Sequence, residues 1–229
     1  MAGLTAAEMQ YEAKVIYEAI ASADAPGYTP RQWSILLTQA QENIVLETLH
    51  VGFDFDEIRR RILHTLIEEE EFGESDIDYA EDNRYSVTLN EDYLHIVRDV
   101  ANTNIKVRPV SHDFYYANIN NPFERPNEEE YWRLIGKNTM TIVTSGVDLT
   151  QYNIVYLRRP LPIITIELPG GSEIEGNSGP QNCELDHSVH RQVVNEAAKL
   201  AHSYTNNQLG YQLQSMENNR SRFGPQVQG

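Results

Sequence analysis

Tyr85-Ser86-Val87-Thr88-Leu89, Tyr93-Leu94-His95-Ile96-Val97-Arg98-Asp99-Val100 and Ile105-Lys106-Val107-Arg108-Pro109 follow one another through residues 85–109. In the first, Tyr85, Val87 and Leu89 alternate with polar residues. The second is rich in β-formers, and the third follows an Asn-Thr-Asn turn. A period of two between short turns is the mark of β-strands. Those turns are too short for a crossover helix, so the connections are antiparallel. Working outward, Ser111 or Asp113 is placed to cap a short helix over residues 114–119, and Asn120, Asn121, Pro122, Pro126 and Asn127 make a loop. Residues 131–134, 139–144 and 152–158 supply further strands. Pro160 and Pro162 cannot donate to a central ladder, so the segment they flank is an edge strand, a tie between domains or an extended arm. Residues 76–180 are therefore expected to form a mostly antiparallel β domain with proline-flanked loops.

On the N-terminal side the period changes to that of helices. Met9, Ala13, Ile16, Tyr17 and Ile20 recur at spacings of three and four, and Ala25, Pro26 and Gly27 break the pattern. Thr29 is an N-cap with Pro30 at the first helical position. Trp33, Leu36, Leu37, Ala40, Ile44, Val45 and Leu49 carry the second stripe as far as Gly52. Asp54 or Asp56 caps a third helix in which Ile58, Ile62, Leu63, Leu66 and Ile67 face inward. Beyond the Gly- and Ser-rich residues 169–180, Asp186 or Ser188 opens a helix lined by Val189, Val193, Val194, Ala197, Leu200 and Ala201. The expectation is an α+β protein: a three-helix N-terminal bundle in residues 1–75, the β domain in 76–180, a C-terminal helix in 181–205 packing back on the bundle, and a Gln- and Asn-rich tail in 206–229 that is flexible alone or ordered by a partner.

Composition narrows the classes of function. The chain has 229 residues, 34 acids against 18 Lys and Arg, and a net charge of −16. Residues 54–92 hold 14 acids and 4 arginines, and so carry most of that excess. Gripping nucleic acid needs clustered Lys and Arg that this sequence lacks. DNA as a neighbour is compatible with the charge, because a channel that passes DNA without holding it is best lined with acids. Glu68, Glu69, Glu70 and Glu71 are consecutive at the end of the third helical pattern and read either as a solvated face or as such a lining. No run of eighteen apolar residues and no signal-peptide pattern occurs, so the expectation is a chain made in a cytoplasm and crossing no membrane. Cys183 is the single cysteine and excludes an internal disulfide.

Catalytic patterns are sparse. Cys183, His187 and His190 give Cys-x3-His-x2-His, which with His112 or Asp113 suggests a soft-metal site and, as the alternative function, a cytoplasmic metal-dependent hydrolase. The spacing is not a standard zinc pattern, and a His near a helix start is commonly a hydrogen-bonded structural residue. Asp76-Ile77-Asp78 lacks the twelve-residue calcium-loop frame, and Gly170-Gly171-Ser172 is not followed by Lys-Ser or Lys-Thr. No cofactor is expected.

The remaining signal lies in short pieces without common catalytic meaning. They are Thr38-Gln39-Ala40-Gln41, Val110-Ser111-His112-Asp113, Asn121-Pro122-Phe123-Glu124-Arg125-Pro126-Asn127, Tyr156-Leu157-Arg158-Arg159-Pro160-Leu161-Pro162-Ile163-Ile164, Cys183-Glu184-Leu185, and His190 with Arg191. Together they resemble a virion structural protein family of crAss-like tailed phages of gut Bacteroidetes, with Ser111 departing from the family's usual threonine. The resemblance implies a ring-forming head-to-tail connector or tail-barrel protein below the portal. It implies about twelve copies, contact with the portal or other tail ring proteins, and location in the virion after assembly in the host cytoplasm. It also implies a structural role without catalysis. On that reading Phe123, Arg125, Trp132, Arg158, Arg159, Pro160 and Pro162 are interface candidates. The plainer reading of Phe123 and Trp132 is that they fill the local core.

Overall fold

A computed structural model describes residues 3–20, 27–50, 57–168 and 172–204. In chain order these form helices α1 (Ala6–Ile20), α2 (Pro30–His50) and α3 (Glu57–Leu63), then strands β1 (Ile67–Gly73), β2 (Asp78–Tyr79), β3 (Arg84–Thr88), β4 (Tyr93–Ala101) and β5 (Ile105–Pro109). Helix α4 (His112–Asn118), strands β6 (Glu130–Ile135), β7 (Thr139–Val143) and β8 (Gln151–Arg158), and helix α5 (His190–Tyr204) complete the order. The protein is mixed α+β. It divides into two compact units: Met1–Leu66 with Pro160–Gly229, and Ile67–Arg159. The divisions expected from the sequence lie at 75/76 and 180/181.

The first unit is helical. α1 opens with a reciprocal capping box, in which the Thr5 N–H donates to the Glu8 carboxylate (2.8 Å) and the Glu8 N–H to the Thr5 hydroxyl (3.3 Å). Thr29 and Gln32 repeat the device at α2, with Pro30 at the first helical position. The three long helices that pack together are α1, α2 and α5, with α5 lying against both others. Among the described residues the long helix packed with both α1 and α2 is α5. α3 is only two turns long and passes through a 3-10 turn (His64–Leu66) into β1. Met9, Ala13 and Tyr17 of α1, Leu37, Ala40 and Ile44 of α2 and Val193, Val194, Ala197 and Ala201 of α5 are all buried. At one end Tyr17, Tyr28 and Trp33 pack edge to face at 5.3–6.0 Å, and the Tyr28 hydroxyl donates to the Ala201 carbonyl (2.8 Å). The proposed caps at Asp54 and Asp56 and the tail 206–229 lie outside the described residues.

The second unit is an eight-stranded sheet in the order β1-β8-β4-β5-β6-β7-β3-β2. Seven strand spacings would put β1 and β2 about 34 Å apart in a flat sheet. Residues 74–77 join those two strands, and five extended steps span no more than about 18 Å. The sheet must therefore curl until its edges approach one another. Its concave side is filled by Phe72, Tyr85, Val87, Ile96, Val107, Tyr131, Met140, Ile142, Tyr152, Ile154 and Tyr156. On the other side Trp132, Leu134 and Val143 pack under Tyr115 of α4. Pairing is antiparallel except between β5 and β6, which run parallel and are linked through α4. Ser111 caps α4, accepting the Phe114 N–H at 3.2 Å.

One element differs from its expected type. Residues 67–71, read as the end of a helix, form edge strand β1 along β8, with Ile67 opposite Leu157 and Phe72 opposite Tyr152. Four consecutive glutamates favour a helix locally. Pairing seven residues with β8 and burying Phe72 overrides that preference.

Candidate interaction surfaces

The segment after β8 shows how the sequence motifs are used. Ser34, Thr38 and Gln41 are buried polar residues on the otherwise apolar face of α2, at spacings of four and three. Residues 161–165 run along them, with Ile164 bridged to Gln181 on its other side. The Thr38 hydroxyl accepts the Ile163 N–H (3.0 Å) and donates to the Ser34 carbonyl (2.8 Å). The Ser34 hydroxyl accepts the Thr165 N–H (3.1 Å) and donates to the Pro30 carbonyl (3.0 Å). Gln41 donates to the Leu161 carbonyl (2.8 Å) and accepts the Glu184 N–H (3.3 Å), while the Glu184 carboxylate takes the Leu161 N–H (2.7 Å). Seven helical residues rise about 10.5 Å, and four extended residues about 13 Å. The longer Gln41 side chain takes up the difference. Every hydroxyl works as donor and acceptor, which is what makes such a buried polar stripe tolerable.

Pro160 and Pro162 are buried in this joint and Ile163 and Ile164 are fully enclosed, so neither proline is a surface anchor. The segment lies on α2 of its own chain, bonded through Leu161, Ile163 and Thr165. The joint brings together three of the quoted sequence pieces: residues 38–41, 156–164 and 183–185. Sequence reasoning quoted Thr38 and Gln41 without assigning them a task. Their signal was there, as polar residues at helical spacing within an apolar stripe.

The Cys183, His187 and His190 group does not build a metal centre. Both ring nitrogens of His190 are engaged by backbone: Nδ1 accepts the Leu4 N–H and Nε2–H donates to the Leu185 carbonyl, each at 3.0 Å. A ligand needs a free lone pair, and this ring has used its own. Gly3 comes so close that a Cβ there would lie 2.7 Å from His190 Cε1, so the ring also holds the N-terminal segment in place. Burial pushes the Cys183 thiol up to about 12, against a small opposing effect from the Leu185 N–H, and leaves it unreactive. His187 is exposed beside Asp186, and His112 and Asp113 belong to α4 in the other unit. Among the described residues no group of three His, Cys, Asp or Glu side chains is placed to hold a metal.

In the sheet unit the candidates separate. Trp132 is 1% exposed, packed against Phe114 and Tyr115, and is a core residue with no surface to offer a partner. Phe123 is 94% exposed. Its loop is nevertheless well held. Asn121 Oδ1 accepts the Phe123 N–H (3.2 Å), the Asn121 carbonyl accepts the Glu124 and Arg125 N–H groups, and Asn127 Oδ1 accepts those of Glu129 and Glu130. Phe123, Pro122, Ile119, Val147 and Arg125 line a surface groove of about 610 Å³, bounded by the tight turn at Asp82 and Asn83, both at positive φ. Tyr116, 73% exposed on α4, adds a further apolar group to this unit's surface.

The acidic run forms one edge of the sheet. Glu68 accepts from Arg158 Nε (2.8 Å) and lies 3.3 Å from the Tyr156 hydroxyl, and Glu70 accepts from Asn90 (3.1 Å). Partial burial pushes the Glu70 carboxyl above its ordinary range, offset by the Asn90 bond and reinforced by Asp92 and Glu68. Glu69 and Glu71 are exposed. Arg158 is largely enclosed by its partners, while Arg159 is exposed with its N–H given to the Asp92 carbonyl (2.7 Å). A further group escaped sequence reasoning: Arg133 and Asp99 form a 2.7 Å ion pair, each side chain 8% exposed, and the Tyr152 hydroxyl donates to Asp99 (2.8 Å). Burial raises the Asp99 carboxyl even against the pull of Arg133. Three residues on three different strands leave no local spacing to read.

Comparison with known proteins supplies the remaining observation. The profile of the family described as Phage tail ring protein 3/4 matches residues 4–212. Ring protein 4/5 of Bacteroides phage crAss001 is 30% identical over 218 residues, covering 85% of this chain and 90% of that protein. Ring protein 3 of the same phage is 28% identical over 188 residues, covering 73% and 82% respectively.

Proposed function

Since the chain belongs to the phage tail ring protein 3/4 family, we propose that it is a structural component of a tailed-phage virion, one ring of the tail barrel below the portal. About twelve copies stand side by side, in contact with the portal or with neighbouring ring proteins, around the path that DNA takes during ejection. The family match over residues 4–212 carries this reading. Two surface features support it. Phe123 is a rigid apolar knob on a preorganised loop, suited to a neighbour's surface at low ordering cost, with Arg125 beside it. Glu68, Glu69, Glu70 and Glu71 give the sheet an acidic edge that repels phosphate. The concave side of the sheet is packed with side chains, so the DNA path in this reading runs between subunits and through none of them.

The test is copy number. In purified particles, quantitative mass spectrometry with the portal protein as internal standard is expected to return one copy per portal subunit or a small integer multiple. Absence from particles overturns the reading.

A further inference from the structure

The convex face of β4 and β5 carries cations in a chain whose net charge is −16. Val107 fills the concave side, so Lys106 and Arg108 on either side of it point outward. Val100 pairs with Lys106, and Arg98, two residues before Val100 and opposite Val155, shares that outward face. All three cations are exposed. Arg108 is held by Glu130 at 3.7 Å and lies over the Phe114 ring. Arg98 and Lys106 form no ion pair among the described residues. As diagonal neighbours on adjacent strands they stand about 7 Å apart.

The matching charge lies between β1 and β3, where Glu74, Asp76, Asp78, Glu81 and Asp82 are all exposed. Asp76 accepts the Gly73 N–H at 3.1 Å, and Asp82 lies 3.8 Å from Arg84. The carboxylates of Asp78 and Glu81 form no ion pair among the described residues. Asp78 is opposite Ser86, which stands between the core residues Tyr85 and Val87, so both point outward. Glu81 follows three residues later, within about 10 Å.

Strand order places these two surfaces. β4 and β5 are third and fourth in the sheet, and β3 and β2 are seventh and eighth. In an eight-stranded sheet curled until its edges approach, four steps are half the circuit, so the cations and the acids occupy opposite walls. One chain cannot bring its own two walls together.

We propose that the β4 and β5 wall of one copy docks on the β2 flank of a second copy of this chain, Arg98 and Lys106 pairing with Asp78 and Glu81. The choice of a second copy rests on the ring reading. Opposite walls of complementary charge give a heterologous contact that repeats head to tail, the kind that closes a ring, while two like walls repel. The glutamates of β1 stay uncovered, since Glu69 is two strands from Arg98 across Val155.

The test is zero-length crosslinking of purified particles with a carbodiimide, which joins an amine to a carboxylate in contact with it, followed by mass spectrometry. Lys106 is expected to be linked to Asp78 or Glu81. Lys199 and Glu196, 3.2 Å apart within one chain, are the internal control. The control link without any link from Lys106 to Asp78 or Glu81 overturns the proposal.

Charge reversal supplies the second arm. Arg98→Glu with Lys106→Glu, and separately Asp78→Lys with Glu81→Lys, are each expected to lower incorporation into particles about tenfold, from two exposed pairs turned to repulsion. The chain with all four changes is expected to regain it. Unfolding midpoints near that of the wild type show that each variant is folded. Incorporation that no double variant alters, or that the four-change chain fails to regain, also overturns the proposal. If the wild-type chain is nevertheless present at a fixed ratio to the portal, the ring reading stands without this contact. Absence of the wild-type chain from particles removes both.

Discussion

Two proline-flanked segments end differently in this molecule. Residues 160–165 turn inward: their backbone is hydrogen-bonded to Ser34, Thr38 and Gln41 of α2, and Ile163 is fully buried. Residues 121–127 turn outward, hydrogen-bond to one another and to their near neighbours Glu129 and Glu130, and leave Phe123 almost wholly in solvent. Both read alike in sequence, as prolines and apolar residues outside any regular period. The difference is the presence of a matching polar stripe elsewhere in the chain for one and not for the other. An extended segment can be buried when its N–H and C=O groups find partners. Without them it stays outside, and its apolar residue is left for another molecule.

The comparison can be broken by changing each segment in turn. The largest effect is expected for Ile163→Ala, which empties a fully enclosed site in the arm and should destabilise the helical unit by about 3 kcal/mol. Urea unfolding followed by Trp33 fluorescence in a Trp132→Phe background reports that unit separately. Next is Thr38→Val, which keeps the volume but removes the acceptor for the Ile163 N–H. A loss of about 2 kcal/mol is expected in the same assay, and a neutral result would mean that the hydroxyl ladder does not hold the arm.

A pH effect of smaller size sharpens the picture of the unit receiving the arm. His202 is buried beside Tyr17 at 4.8 Å, and burial lowers its pKa. A base with a depressed folded-state pKa is bound neutral, so its contribution is whole above the ordinary histidine pKa of about 6.5 and is lost as pH falls through the lower folded value. The Trp33-reported midpoint is expected to drop between pH 7.5 and pH 5, and a flat profile would contradict the neutral assignment. The smallest effect on stability belongs to the outward loop. Phe123→Ala is expected to change the unfolding free energy by less than about 0.5 kcal/mol while lowering incorporation into particles. Normal incorporation would remove Phe123 from the interface.

Much of the fold was legible. Strands β3 to β8 and helices α1, α2, α4 and α5 all sit where their periods and caps put them, because alternation, helical stripes and Thr29, Ser111 and Asp186 are local signals. The one element of the wrong type has a local cause. Glu68, Glu69, Glu70 and Glu71 were read as a helix end because glutamate is a good helix former, and only pairing with β8 makes them a strand. Among the candidate interface residues, Phe123 and Trp132 were indistinguishable by type. Burial separated them, since Trp132 lies on the face of β6 that α4 covers.

What the sequence determined by itself was the set of elements, the acidic bias and the resemblance to phage ring proteins, since each is written in neighbouring residues or in short motifs. The tertiary structure decided which helices share a bundle, that the acidic run is the edge of a curled sheet, that His190 is a structural hydrogen-bonding residue, and which proline segment faces out. Each of these depends on partners far apart in the chain, Leu4 with His190 and Thr38 with Ile163 among them. Such pairings cannot be read from local propensity, because it is the folded packing that brings the groups together.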